Sequence, residues 1–128
     1  MSGKRYLLDT NAIIQLLSGN RAMCDIVAEA DFLATSVICQ LEFLSYPKLD
    51  DDARSTFLAF LSRIVVYDLM ASDAELMREV ASLRSTCGMK LPDAIIAATA
   101  FVNGCDIVTN DEHFNKQSRV AVKTYSFT

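Results

Sequence analysis

Asp9, Glu42, Asp93 and Asp111 are the side chains in this sequence best placed to do chemistry. Asp9 closes the apolar run in "RYLLDTN", and Asp111 follows "DIVTN"; each has Thr and Asn beside it. Taken singly, both acids are accounted for as N-caps of the helices that follow, a role Asp fills well. Glu42 sits mid-helix among Leu41, Phe43 and Leu44, and the capping-box position three residues after Ser36 is Cys39 instead. Alone, it reads as a solvent-facing Glu on a half-buried helix. Asp93 follows Pro92 in the first turn of a helix, where the macrodipole favours it by only ~0.3–1 kcal/mol. That helix, "DAIIAATAFV", is apolar on every side and therefore buried, and a charge at its end needs a partner.

The acids gain meaning if they are gathered. Two carboxylates ~4 Å apart repel by roughly 4 kcal/mol at an effective dielectric of 20, so clustering requires protons or a cation. No Lys or Arg stands beside Glu42 in sequence, and the nearest cations to Asp93 and Asp9 are Lys90 and Arg5. A set of carboxylate oxygens suits a hard ion, Mg²⁺ or Mn²⁺. A zinc site has little to work with: His113 is the single histidine, and Cys24, Cys39, Cys87 and Cys105 form no C-x-x-C pair. Their apolar neighbours predict buried, reduced thiols.

The elements that must position these acids alternate between apolar runs and amphipathic ones. Strands are expected at residues 6–8, 31–36, at "VVYDL", at "DIVTN" and over "VAVKTYSF". Helices are expected over 11–17 and 21–29, after the cap Ser36, over "DDDARSTFLAFLSRI", after a cap at Ser72 with Glu75 completing a capping box, and from "LPDAIIAATAFVN" to Gly104. "DEHF" reads as a helical turn. Alternation of this kind gives an α/β fold, a three-layer α/β/α sandwich around a central, mainly parallel sheet. Ligands of such sheets bind beyond the carboxyl ends of the strands, which is where Asp9 and Asp111 fall.

The 128 residues are expected to form one domain, 1–128, since no linker, repeat or shift of composition divides them. At 52% hydrophobic residues the chain can build a core, yet no apolar run approaches the ~18 residues of a membrane span. The N-terminus lacks the apolar stretch of a signal peptide, so the expected location is cytoplasmic, with no membrane partner. The net charge of −4 argues against nucleic acid at first sight. Without the site acids, which divalent ions neutralise, the balance is zero. Most remaining cations read as scattered solubility charges, but Arg84 and Lys90 flank the approach to Asp93 and are candidate RNA contacts. Phe57, Phe60 and Phe101 read as core.

In this order and spacing, "LLDTN", the mid-helix Glu of "SVICQLEFL", "KLPDAIIAATA" and "IVTNDEHF" resemble the PIN-domain nucleases, most nearly the VapC-type ribonuclease toxins of bacterial toxin–antitoxin pairs. The likeness runs from about Tyr6 to Phe114 and is looser in "SYPKLDDD" and after Phe114. It implies a Mg²⁺- or Mn²⁺-dependent endoribonuclease leaving 5′-phosphate ends, a homodimer and a cognate antitoxin partner. Carried over by position, Asp9, Glu42, Asp93 and Asp111 fall on the acidic quartet that is both catalytic and metal-binding. Thr109 and Asn11 fall on the polar residues that orient ligands or water. The alternatives are a catalytically silent PIN-like module that binds RNA or protein, and a Mg²⁺-binding receiver-like phosphoacceptor. The receiver leaves Glu42 and Asp93 without a role. A dehalogenase-like phosphatase wants an acid where Asn11 stands.

Overall fold

The computed structural model describes residues 3–127. The elements run β1 (Arg5–Leu8), α1 (Thr10–Leu17), α2 (Arg21–Glu29), β2 (Phe32–Ser36), α3 (Val37–Leu44), α4 (Asp51–Leu61), β3 (Val65–Tyr67), α5 (Ala74–Cys87), α6 (Leu91–Val102), β4 (Asp106–Val108), a 3₁₀ turn (Glu112–Lys116) and β5 (Val122–Lys123). The strands form one sheet in the order β3-β2-β1-β4-β5. Every pairing is parallel. The chain winds outward from β1 first to one side and then, after β3, to the other. The order therefore reverses between β1 and β4, which is where an open α/β sheet parts to make a crevice.

The strands are apolar because both faces are covered, as parallel sheets require. Leu7 and Ile107 face a core built with α5 and α6, through Leu76, Val80, Leu83 and the run Ala94–Ala98. Tyr6, Leu8 and Val108 face the opposite core with Ile13, Met23, Ile26, Phe43 and Phe57. Phe43 and Phe57 stack there with ring centroids 3.8 Å apart, joining α3 to α4. These two cores make the expected α/β/α sandwich.

Local chemistry explains most boundaries. Asp50 caps α4, and Asp51 and Asp52 occupy its first turn. Gly104, at φ +67°, turns the chain after α6 in a backbone region that disfavours side chains. Four expectations need correction. Asp73, not Ser72, caps α5: its side chain accepts from the Leu76 amide at 3.1 Å, while Ser72 lies in the preceding turn. Of "VAVKTYSF" only Val122–Lys123 pair as strand, because β4 is three residues long. Beyond it, the Asn110 amide takes over, accepting from the Tyr125 N–H at 2.9 Å and donating to the Tyr125 carbonyl at 2.8 Å. Phe101 is 41% exposed, since the buried stretch of α6 ends at Ala100, whereas Phe57 is buried as expected. Cys24 is exposed on the outer side of α2, while Cys39 and Cys105 are buried.

Candidate active site

The register of β1 against β4 sets Leu8 beside Val108, so the next residues of the two strands, Asp9 and Thr109, emerge side by side. The Asp9 N–H still reaches the Val108 carbonyl at 3.3 Å. Asp9 is 6% exposed. One carboxylate oxygen, Oδ1, accepts from the Ala12 amide at 2.8 Å and caps α1. The other, Oδ2, accepts from the Thr109 hydroxyl. Thr109 Oγ1 in turn accepts from the Asp111 N–H at 3.0 Å. One buried hydroxyl thus ties the end of β1 to the loop that carries Asp111.

Asp111 is also a cap. Its Oδ1 accepts from the His113 N–H at 2.9 Å and lies 2.7 Å from His113 Nδ1. Capping and chemistry are therefore not rival accounts of these two acids: one oxygen of each satisfies a helix end, and that bond fixes where the rest of the carboxylate points. Glu42, exposed on α3, is held by the Thr10 hydroxyl, which donates to Oε1 at 2.6 Å. Asp93 projects half-buried from the first turn of α6, a helix without a side-chain cap.

All four acids line one cleft of about 520 Å³, walled by Ile38, Leu41, Tyr46, Pro92, Ile96 and Phe114. No Lys or Arg lines it among the described residues. Burial pushes Asp9 up to about 6, against the lowering influence of Thr109 and the Ala12 amide; Asp111 and Glu42 push it further up. Burial and then Asp111 also raise Asp93. The acids are thus close enough to oppose one another's ionisation, and at Asp93 His113 and Lys90 offset this by less than burial and Asp111 impose.

The tightest group is Asp93 and Asp111 of the cleft with His113 at its edge, whose ligand atoms lie within 4.8 Å of one another. Carboxylate oxygens with one imidazole, uncompensated by basic side chains, fit a divalent ion such as Mg²⁺ or Mn²⁺. His113, Thr10 and Tyr46 were not among the site residues expected from the sequence. His113 had a signal, standing two residues after Asp111; Thr10 had only its adjacency to Asp9. Tyr46 had its spacing, four residues after Glu42 on the same face of the expected helix.

The other expected residues are placed less centrally. Asn11 lines the cleft, but its side chain makes no hydrogen bond to an acid among the described residues. Lys90 is the exposed N-cap residue of α6 and lowers the pKa of Asp93 only as the weakest of the influences on it. Arg84 borders a separate depression with Met77, Val80 and Leu91. Arg5 does not meet Asp9: its guanidinium lies 4.1 Å from the centre of the Phe32 ring and donates to the Asn103 carbonyl.

Similar architecture recurs in solved toxin–antitoxin structures. A chain of VapBC2 from Rickettsia felis, bound to a promoter DNA fragment, superposes with a TM-score of 0.79 at 21% identity, over 94% of this chain and 98% of that one. A chain of a toxin–antitoxin complex from Klebsiella pneumoniae gives 0.74 at 29% identity, over 91% and 95%. A chain of DNA-bound VapBC from Salmonella typhimurium gives 0.75 at 18% identity, over 94% and 97%. Comparison with curated protein sequences finds no significant match. The sequence profile of the PIN domain matches residues 6–120, nearly the whole chain, and the protein therefore belongs to the PIN domain family.

Proposed function

We propose that this protein is a VapC-type toxin, a Mg²⁺- or Mn²⁺-dependent endoribonuclease of a single domain. The observation that carries the reading is the convergence of Asp9, Glu42, Asp93 and Asp111 on one cleft without a basic side chain to neutralise them. A divalent ion supplies Lewis-acid polarisation of a phosphoryl oxygen and of an attacking water. Asp93, Asp111 and His113 are already grouped to hold it, and Asp9 and Glu42, lining the same cleft, offer further oxygens.

The chain's own residues do the positioning. Thr109 anchors Asp9 Oδ2 and, through the Asp111 N–H, fixes the distance between the two strand ends. Thr10 turns Glu42 toward the cleft rather than toward solvent. A phosphodiester entering the cleft meets the apolar side chains of Leu41 and Pro92 beside the acids. The solved relatives named above as toxin–antitoxin complexes support an antitoxin partner for this chain; a homodimer and a cytoplasmic setting belong to the same proposed reading. No helix among the described residues is long and apolar enough to cross a membrane.

The test is cleavage of structured RNAs by purified protein with Mg²⁺ or Mn²⁺ against EDTA, beside the Asp9→Asn variant. Metal-dependent cutting lost in the variant supports the reading. Equal cutting by the variant assigns the activity to a contaminant. No cutting of any RNA favours a silent PIN-like binding module.

A further inference from the structure

Beside the acidic cleft lies a second pocket of about 340 Å³, lined by Asn11, Gln15, Asn110, Asp111, Tyr125 and Phe127. It shares Asn11 and Asp111 with the cleft, so the two are contiguous. Its chemistry differs. Asp111 is its only charge, and no Lys or Arg lines it, so it does not suit a phosphate.

What it offers is amides and aromatic faces. Asn11 and Gln15 are four residues apart on α1 and therefore share a face. The Asn11 amide has no hydrogen-bond partner among the described residues. The Gln15 Oε1 receives a long 3.4 Å bond from Asn20, and its Nε2 has no acceptor among the described residues. The Asn110 amide, by contrast, is fully used on the Tyr125 backbone and forms a fixed wall. Phe127, in the same lining, is 70% exposed. It leans on Tyr125 with ring centroids 5.7 Å apart, so its orientation is braced while a face stays open.

An aromatic face beside unpartnered amides fits a flat heterocycle whose edge carries donors and acceptors. Bases of single-stranded nucleic acid are held in this way, by stacking and by amide contacts to their edges. We propose that this pocket is a nucleobase subsite. In it Phe127 stacks the base next to the scissile phosphate, and Gln15 and Asn11 read its edge. The inference rests on the ribonuclease reading, which puts the phosphate in the adjoining cleft. It assigns base preference at one position beside the cut to residues that hold no metal.

The experiment uses the full chain carrying Asp9→Asn, which binds without cutting, and fluorescein-labelled oligoribonucleotides of A, C, G or U alone in Mg²⁺. Adding Phe127→Ala is expected to weaken binding by roughly 10-fold or more, and Phe127→Tyr to restore it. Gln15→Leu is expected to alter the ranking of the four oligonucleotides. In the cutting protein, the same Gln15 change shifts the base found next to mapped cleavage ends. Both side chains are solvent-accessible, and unchanged circular dichroism excludes misfolding. Equal affinities with an equal ranking overturn the inference, as does absence of binding to any of the four. These outcomes are separate from the ribonuclease reading, which fails if the unmodified protein cuts no RNA or if Asp9→Asn cuts equally well.

Discussion

The two ends of the acidic cleft are built on opposite plans. At the Asp9 end the carboxylate is buried and both oxygens are occupied, by a helix N-terminus and by a threonine hydroxyl. At the Asp93–Asp111–His113 end the groups are half-buried or exposed, and the loop that carries two of them is held by short local bonds. The first end is buried and preset; the second is more open, although burial still raises Asp93. An ion bound between them would take its position from the first and much of its affinity from the second.

Replacing Asp9 by Asn should have the largest effect. The fold and the cap to Ala12 survive, because the Asn Oδ1 still accepts, but RNA cleavage should fall by roughly 1000-fold or more, as when a central catalytic group is removed. Stability should move the other way. Asp9 is raised from 3.8 to about 6, so between those values the native state holds a proton the unfolded chain has lost. Stability is thus greatest at the acid end of that window and falls as pH rises through it, by about 3 kcal/mol. The variant lacks this penalty. In EDTA at neutral pH it should melt several degrees above the unmodified protein, and the gap should close near the acid end of the window or when Mg²⁺ is added. An unchanged melting temperature would show that the buried end is not strained by its charge.

Thr109→Val keeps the shape and removes the hydroxyl that joins Asp9 to Asp111. Cleavage should drop ~10–100-fold, the range for residues that orient ligands, with a smaller change in melting temperature than Asp9→Asn produces. His113→Ala probes the more open end: Mn²⁺ affinity, read by electron paramagnetic resonance of the free ion, should weaken ~10-fold while the melting curve in EDTA stays put. A loss as large as that of Asp9→Asn would make the two ends equivalent. The smallest effect is expected outside the cleft. Joint reversal of Arg84 and Lys90 to Glu should raise KM a few-fold and reduce the salt slope of binding by ~1–2. Unchanged kinetics would remove both from the RNA path.

How legible these ends were in the sequence follows from what each depends on. Asp9 and Asp111 were visible because a strand that ends on an acid leaves a local mark, and strand ends are where such sheets bind ligands. Asp93 was visible because an apolar helix opening on a carboxylate is locally inconsistent. Glu42 stood out only as an acid without a cap to make. The Thr10 and Thr109 contacts cross 32 and 100 residues of chain, and no spacing rule reaches that far. The shortness of β5 was equally hidden. "VAVKTYSF" alternates like a longer strand, and only the three-residue length of its neighbour and the Asn110 side chain cut it short. Ser72 and Asp73 are both good caps one position apart, a choice that sequence pattern leaves open.

The grip of Asn110 on Tyr125 also sets when the loop that carries Asp111 can be fastened during synthesis. The segment that fastens the Asp111 loop lies 15 residues further along, and β5 must dock before it can get there. A ribosome extending this chain releases β1 and its aspartate early and the fastening segment more than a hundred residues later. The newborn polypeptide therefore passes most of its elongation with the acids unassembled, and on the ribonuclease reading cutting would begin only after translation has moved past that tyrosine.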